Sequence, residues 1–355
     1  MALKPVTEEF IDELKLGLSP EAVLAVPDDY LSEPRSRWRG ISSVLVLPQN
    51  VNEVSTVVSL ANARNIPIIP YGGGTGLVGG QIQDKGPSGI LLSLERMNEI
   101  RSLNLDENLI TVESGVILSN LRDAAEEVKR IFPLSLASEG TAQIGGNLAT
   151  NAGGVNVLRY GSTRHLCLGL EVVFSDGSIW NGLSRLHKDN TGYDLKNLII
   201  GSEGTLGIIT AATMKLFPKP LEHTVALIAV KSPKDALRLL SETKDYFGET
   251  ISAFELINKM GIDFFNETKV EVKVPFSNIP EWMVLLDIGH PGRNSVEKNT
   301  NDYFENILSS GLAVDGVLAE HVGQQNDLWA IRENIPEANR RIGSISSHDI
   351  SLPLS

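Results

Sequence analysis

Six glycines crowd into the eleven residues PYGGGTGLVGG, positions 70–80, and no other stretch constrains the fold so strongly. Glycine gives up more conformational freedom on folding than any other residue. So many in one turn therefore imply positive backbone dihedrals, or something that approaches the main chain too closely for a Cβ. The apolar run Ile66 to Ile69 feeds the turn and predicts a strand. Before it, NVNEVSTVVSLANARN sets Val51, Val54, Val57, Val58 and Ala61 on one helical stripe, opened by Asn50 and Glu53 at the spacing of a capping box. With strand VLVLP upstream, the glycine turn closes a β-α-β unit.

Two familiar phosphate motifs fail on context. Gly74, Gly76 and Gly79 satisfy G-x-G-x-x-G, and Glu95 stands about where a ribose-binding acid belongs. That motif needs a helix starting at the glycines, yet QIQDKGPSG has no apolar periodicity and contains Pro87. A P-loop fails because no Lys-Ser or Lys-Thr pair follows. What survives is the shared physics: successive unshielded N–H groups converging on an anion. A flexible hairpin tip is the competing reading.

A second segment, SEGTAQIGGNLATNAGG at 138–154, and a third, NTGYDLKNLIIGSEGTLGIIT at 190–210, exceed what hairpin chemistry requires. The third is expected to run through a strand at LII into GSEGTLG, where Glu203 could accept from a ligand hydroxyl or be a solvated turn acid. Short helices are expected at EEFIDELKL, capped by Thr7, and at PEAVLAV, capped by Ser19. Strands are expected at GILLSL and LITVESG, a helix at SNLRDAAEEVKRI, and a hairpin in LGLEVVFSDGSIW turning at Asp176-Gly177.

Past FPKP at 217–220, strands TVALIAV, ISAFELI, WMVLLDIG and VDGVLAE alternate with helices, which predicts a sheet covered by helices. The organisation read from the sequence is an N-terminal helical segment at 1–34, a first domain at 35–220 and a second at 221–355.

Composition narrows the function. A formal net charge of -13 with no lysine or arginine run argues against nucleic acid, whose phosphates are met by cations. The single cysteine, Cys167, excludes an internal disulfide framework and suggests a reducing, cytoplasmic setting. The start, MALKPVTEEFIDELKLGL, carries acids where a secretory leader needs bases, and no stretch reaches eighteen apolar residues, so no transmembrane segment is expected.

The three glycine-rich segments, in this order and spacing, resemble the FAD-binding domain of the FAD-linked oxidases of the vanillyl-alcohol oxidase, or PCMH, type. Over roughly 35–355 the chain is similar to their D-2-hydroxy acid dehydrogenase branch, which includes D-lactate dehydrogenase, the glycolate oxidase flavoprotein subunit and D-2-hydroxyglutarate dehydrogenase. YGGGTGL, IGGNLATNAGG and GSEGTLGIIT carry the likeness together. The resemblance implies an α+β protein, a two-subdomain PCMH-type FAD-binding domain followed by an incomplete FAD-linked oxidase cap. It implies that Pro70, Tyr71, Gly72, Gly73, Gly74, Thr75, Gly76 and Leu77 cradle the FAD pyrophosphate. It places Ser138, Gly140, Thr141, Gly145, Gly146, Thr150 and Gly153 along the extended cofactor, with Glu203, Gly207, Ile208 and Ile209 near the ribityl, adenosine or ring edge. The first loop lacks the histidine that attaches FAD in some relatives, so non-covalent FAD is expected.

In the cap, LWAIRENIPEA puts Trp329 and Arg332 on one helix face, where the indole can hold the guanidinium stem. By resemblance Arg332 binds the substrate carboxylate. The family's later metal site and its glutamate-histidine pair lie beyond Ser355, so a divalent metal such as zinc is expected only of a full-length form, and the catalytic base is unassigned. AEHVG imitates that pair, but Glu320 and His321 precede the Trp-Arg helix and read as a decoy. Where the 2-hydroxyglutarate branch has threonine and lysine, this chain has Pro336 and Ser347, with His348 alongside; this favours a monocarboxylate such as D-lactate or glycolate.

The expected reaction is FAD-dependent oxidation of a D-2-hydroxy acid to the 2-oxo acid. Electrons would pass to a separate acceptor: an electron-transfer flavoprotein, a quinone or a cytochrome. A homodimer is compatible with this reading. The alternatives are an NADPH-dependent flavin reductase of the same fold and a non-catalytic FAD-binding subunit that needs a partner chain.

Overall fold

The computed structural model describes residues 2–292, 296–343 and 348–354. The chain divides into two compact units, one of residues 1–154 and 161–218, the other of residues 155–160 and 219–355. Six residues that follow the second glycine segment therefore lie with the second unit. In that unit Arg159 Nη1 donates to the Thr250 carbonyl at 3.1 Å, to Ser252 Oγ at 3.2 Å and to the Gly289 carbonyl at 2.9 Å.

The first unit holds two main sheets. In the smaller, Val44–Val46 and Ile68–Tyr71 flank Ile90–Ser93 in parallel, and Val23–Leu24 adds an antiparallel edge. The crossover helix Val51–Arg64 starts where expected: the Asn50 side chain accepts from Glu53 N at 3.0 Å. Its stripe of Val54, Val57, Val58 and Ala61 packs on Val44, Val46, Ile90 and Leu92 together with Phe10 and Leu14 of helix Glu8–Gly17. The N-terminal helix, capped by Thr7, is thus part of this core.

The stretch PEAVLAV is not the helix its composition predicts. Val23 and Leu24 pair with Val46 and Leu45, because ladder partners on an open sheet edge outweigh a helix too short to hold itself together.

The larger sheet is antiparallel, ordered Ile100–Asn104, Leu109–Glu113, Ile208–Lys215, Cys167–Val173, Ile179–Gly182. The last two strands form the expected hairpin, with Gly177 at φ 87°. Arg101 ties three strands together, bonding Glu113 Oε1 at 3.0 Å and Glu171 Oε1 at 3.1 Å, while Thr210 Oγ1 donates to Glu171 at 2.9 Å.

The second unit is an antiparallel sheet ordered Ile251–Asn258, Trp282–His290, Glu222–Val230, Asp315–Leu318. Its strands are apolar on both faces because helices cover both. Ala226, Ile228 and Val230 meet Leu239, Tyr303 and Ile307 of helices Pro233–Phe247 and Val296–Ser309. Val225, Leu227 and Ala229 meet Phe265, Leu328 and Ile331 of helices Lys259–Thr268 and Val322–Ile342. Among the described residues no helix is long and apolar enough to cross a membrane.

Candidate functional site

The first unit folds its three glycine-rich segments against one another. The loop after strand Ile68–Tyr71 meets the second segment back to back: a Cβ on Gly73 would stand 2.0 Å from the Thr141 carbonyl oxygen, and one on Gly72 would stand 3.4 Å from Gly146 Cα. The second segment is laced to the end of strand Leu109–Glu113 by Gly145 N to Ser114 O at 2.8 Å and Ile144 N to Val116 O at 3.0 Å. It then forms the short helix Ile144–Ala149, whose carbonyls hold the third segment through Gly201 N to Leu148 O at 3.0 Å and Glu203 N to Ala149 O at 2.9 Å. Gly204, at φ 77°, closes the triangle, since a Cβ there would stand 2.6 Å from Pro70 Cγ.

Between them lies a cleft enclosing about 1030 Å³ of atom-free space, mouth included. Its lining takes Pro70 to Gly76 from the first segment, Gly145, Gly146 and Thr150 from the second, and Glu203, Gly207, Ile208 and Ile209 from the third. Leu77, Ser138, Gly140, Thr141 and Gly153 do not line it. Leu77 is exposed, and the backbone of Thr141 serves to pack the first loop.

The third segment departs from its expected form. Leu195–Ile199 is a helix, with the Asp194 side chain accepting from Asn197 N at 3.1 Å, not a strand at LII. An Asx cap decides for helix where a three-residue apolar run is ambiguous. Arg164 grips its C-terminal end, bonding the Asn197 carbonyl and, at 2.5 Å, that of Ile200. Glu203 follows in the left-handed region at φ 52°, unusual for a glutamate and consistent with a loop held from both sides.

Two buried amides escaped the sequence reading. Gln143 and Asn147 line the cleft at 8% and 5% exposure, and Gln143 Oε1 and Asn147 Oδ1 are buried with no hydrogen-bond partner among the described residues. The signal was their i, i+4 spacing in QIGGN, which puts both on one face of a helix. Gln81 was also missed; its Nε2 donates to the Gly76 carbonyl at 2.8 Å and to that of Gly74 at 3.3 Å, pinning the loop.

A ligand that suits this cleft offers hydrogen-bond donors to Gln143 and Asn147, and either an anion or a flat surface to a main chain without side chains. FAD has both, so the residues present fit it. Burial, with the Glu95 and Asp29 carboxylates nearby, pushes the Tyr71 phenol up and keeps it a neutral donor. Glu95 itself has a structural task, accepting from Tyr30 Oη at 2.5 Å and Ser93 Oγ at 3.3 Å.

In the second unit Arg332 Nε donates to Glu255 Oε2 at 2.8 Å, and the Trp329 indole N–H goes to Asp287 Oδ2 at 3.1 Å. Asp287 Oδ1 also takes His223 Nδ1 at 2.8 Å. Pro336 sits inside the same helix, where it lacks the N–H that would reach the Arg332 carbonyl. His321 is the N-cap of that helix and accepts from Gln324 N at 3.3 Å. Among the described residues no group of three or more His, Cys, Asp or Glu could hold a metal ion. Ser347 lies outside the described residues.

Comparison with known proteins agrees with this geometry. Residues 42–182 match the FAD binding domain family, and residues 219–355 match the C-terminal domain of FAD linked oxidases. The mitochondrial D-2-hydroxyglutarate dehydrogenase of Rattus norvegicus is 39% identical over 318 residues, 89% of this chain and 58% of the rat protein. The D-2-hydroxyglutarate–pyruvate transhydrogenase of Saccharomyces cerevisiae is 30% identical over 345 residues, 97% of this chain and 68% of the yeast protein. The structure of p-cresol methylhydroxylase superposes with a TM-score of 0.73 at 19% identity, covering 94% of this chain and 71% of that one, a likeness of fold. The chain spans less than two thirds of the rat protein's length.

These relatives correct the expected location. The D-2-hydroxyglutarate dehydrogenases of Rattus norvegicus, Bos taurus and Danio rerio are mitochondrial by name, against a cytoplasmic assignment. One buried thiol, pushed up to about 12 by burial, says that no internal disulfide forms and nothing about which compartment holds the chain. With both halves matched by family models and the yeast relative aligned over 97% of this chain and 68% of its own length, the chain belongs to the FAD-linked oxidases and is similar throughout to their D-2-hydroxy acid dehydrogenases.

Proposed function

We propose that the protein oxidises a D-2-hydroxy acid to the 2-oxo acid with dissociable FAD and hands the electrons to a separate acceptor, an electron-transfer flavoprotein, quinone or cytochrome. The observation that carries this reading is the convergence of three side-chain-poor segments on one cleft with two unsatisfied buried amide oxygens. When bound, the flavin supplies the hydride acceptor.

The residues of this chain do the rest. Main-chain amides of 72–76 meet the diphosphate, and Gln143 and Asn147 accept from N–H or O–H groups of the cofactor. Ile208, Ile209, Leu92 and Leu94 give the cleft an apolar wall that excludes water. Among the described residues the lining carries no histidine or cysteine to form a covalent link, which supports dissociable FAD. Arg332 orients the substrate through its carboxylate. D-2-hydroxyglutarate is named for relatives at 36–39% identity, and D-lactate for one from Schizosaccharomyces pombe at 35%. The acid is therefore proposed as a class, with a homodimer compatible.

Anaerobic mixing of FAD-loaded protein with D-2-hydroxyglutarate, D-lactate and glycolate tests this. Loss of flavin absorbance with D acids and not with their L forms is the expected result. Bleaching by NADPH with none by any hydroxy acid would place the chain among flavin reductases and overturn the reading.

A further inference from the structure

The first glycine loop carries a restraint of its own. Residues 74–77 belong to no helix or strand, so no ladder of hydrogen bonds fixes their peptide planes. Glycine accepts either sign of φ, which makes the planes beside Gly74 and Gly76 cheap to flip. A flip replaces an N–H by a carbonyl oxygen on the same side of the chain. A loop that is to receive an anion works in only one of those two states, the one that offers donors.

Gln81 selects between them. Its Nε2 has two hydrogens and donates to the Gly76 carbonyl at 2.8 Å and to the Gly74 carbonyl at 3.3 Å. The peptide bonds here are trans, so each N–H points opposite to the carbonyl of its own plane. With both carbonyls turned toward Gln81, the N–H groups of Thr75 and Leu77 face away from it. Among the described residues neither meets an acceptor. The half-buried amide lies directly against the loop, since a Cβ on Gly76 would stand 3.0 Å from Gln81 Oε1. Tyr71 braces the same turn from its opening residue: a Cβ on Gly74, at φ 67°, would stand 2.2 Å from Tyr71 Oη.

We propose that Gln81 is a positioning residue for the cofactor diphosphate, which commits the loop to the state in which Thr75 and Leu77 offer their N–H groups to an anion. This rests on the reading that the first glycine loop meets the FAD diphosphate.

Displacement of FAD from the loaded protein by ADP and by adenosine, followed through flavin fluorescence, tests it. The two competitors differ by the diphosphate alone, and the ratio of their affinities does not depend on how tightly FAD is held. In wild type ADP should bind more tightly than adenosine. Gln81→Leu keeps the bulk of the side chain without its donor, so the ratio should fall about tenfold, near the worth of one charge-assisted hydrogen bond, while adenosine binds as before. Gln81→Asn carries the amide on a stem one methylene shorter, unable to span both carbonyls, and should lower the ratio in the same direction; it serves alone if Gln81→Leu does not fold. An unchanged ratio overturns the proposal. So does an equal loss for both competitors, because a general loosening of the cleft does not single out the diphosphate. A wild type that binds FAD yet shows no preference for ADP over adenosine overturns the reading of the loop, and the proposal with it.

Discussion

Gly73 and Thr141 approach so closely that a methyl group on the glycine would lie 2.0 Å from the threonine carbonyl oxygen. The glycine is there for its neighbour in the second segment as much as for a ligand. Gly73→Ala must push two cofactor segments apart, at a cost of about 1–3 kcal/mol typical of overpacking. Its affinity for FAD should fall at least about tenfold, since the same backbone is the one proposed to form the cradle. Gly140 is the matched control: a Cβ there meets nothing within 4 Å and its backbone is not left-handed. Gly140→Ala should change the urea midpoint and the FAD affinity hardly at all. Equal losses in both variants would refute the packing argument.

The orphaned oxygens of Gln143 and Asn147 predict effects of opposite sign on the free and the loaded protein. A buried acceptor without a donor costs roughly 1–3 kcal/mol. Gln143→Leu removes that cost, so apo protein should melt at the same or a higher temperature. FAD would lose a partner, and its affinity should drop about tenfold, near the worth of one hydrogen bond to a buried group. Fluorescence titration of FAD with a parallel thermal melt measures both. Weaker FAD binding together with a lower apo melting temperature would mean the side chain is only a packing element.

Which parts were legible follows from how local their causes are. The crossover helix was read correctly because its stripe and its Asn50 cap lie within one short stretch of sequence. The second unit was read strand by strand because its strands are long, apolar and separated by well-punctuated helices. Val23–Leu24 was missed because its structure is dictated by Leu45 and Val46, some twenty residues on. The same holds at the site. Glycine spacing marked the three segments, yet the sequence could not show that Gly73 packs on Thr141 or that Arg332 is already engaged by Glu255. Those are long-range pairings, and no periodicity records them.

Arg101 holds Glu113 and Glu171 from the two strands that flank Ile208–Lys215, with those carboxylates only 8% and 5% exposed as residues. Removing the cation leaves two nearly buried negative charges facing each other. Arg101→Met should therefore destabilise the first unit by about 3 kcal/mol, the usual scale for breaking a buried pair from one side. Combining it with Glu113→Gln and Glu171→Gln should recover much of the loss, because neutral amides need no counter-ion. A triple variant no more stable than Arg101→Met, measured by urea unfolding, would show that the arginine's packing and not its charge matters.

His290 gives the second unit a pH dependence whose sign is fixed. Burial lowers its pKa below the ordinary 6.5, with His223 and Arg159 acting in the same direction and Glu222 and Asp287 opposing. Its Nε2 meets Thr224 Oγ1 at 2.9 Å, a contact the neutral ring makes without desolvating a charge. Below pH 6.5 the unfolded chain takes up a proton that the folded one refuses, so stability present above that value is lost as pH falls toward the lowered native pKa. The slope cannot exceed about 1.4 kcal/mol per pH unit for one proton. In His290→Gln the amide can still reach Thr224 but does not titrate, so the loss of urea midpoint between pH 7.5 and about 5.5 should be smaller than in wild type by this one group's share. Parallel pH profiles for the two proteins would show that the imidazole is protonated as readily in the fold as out of it.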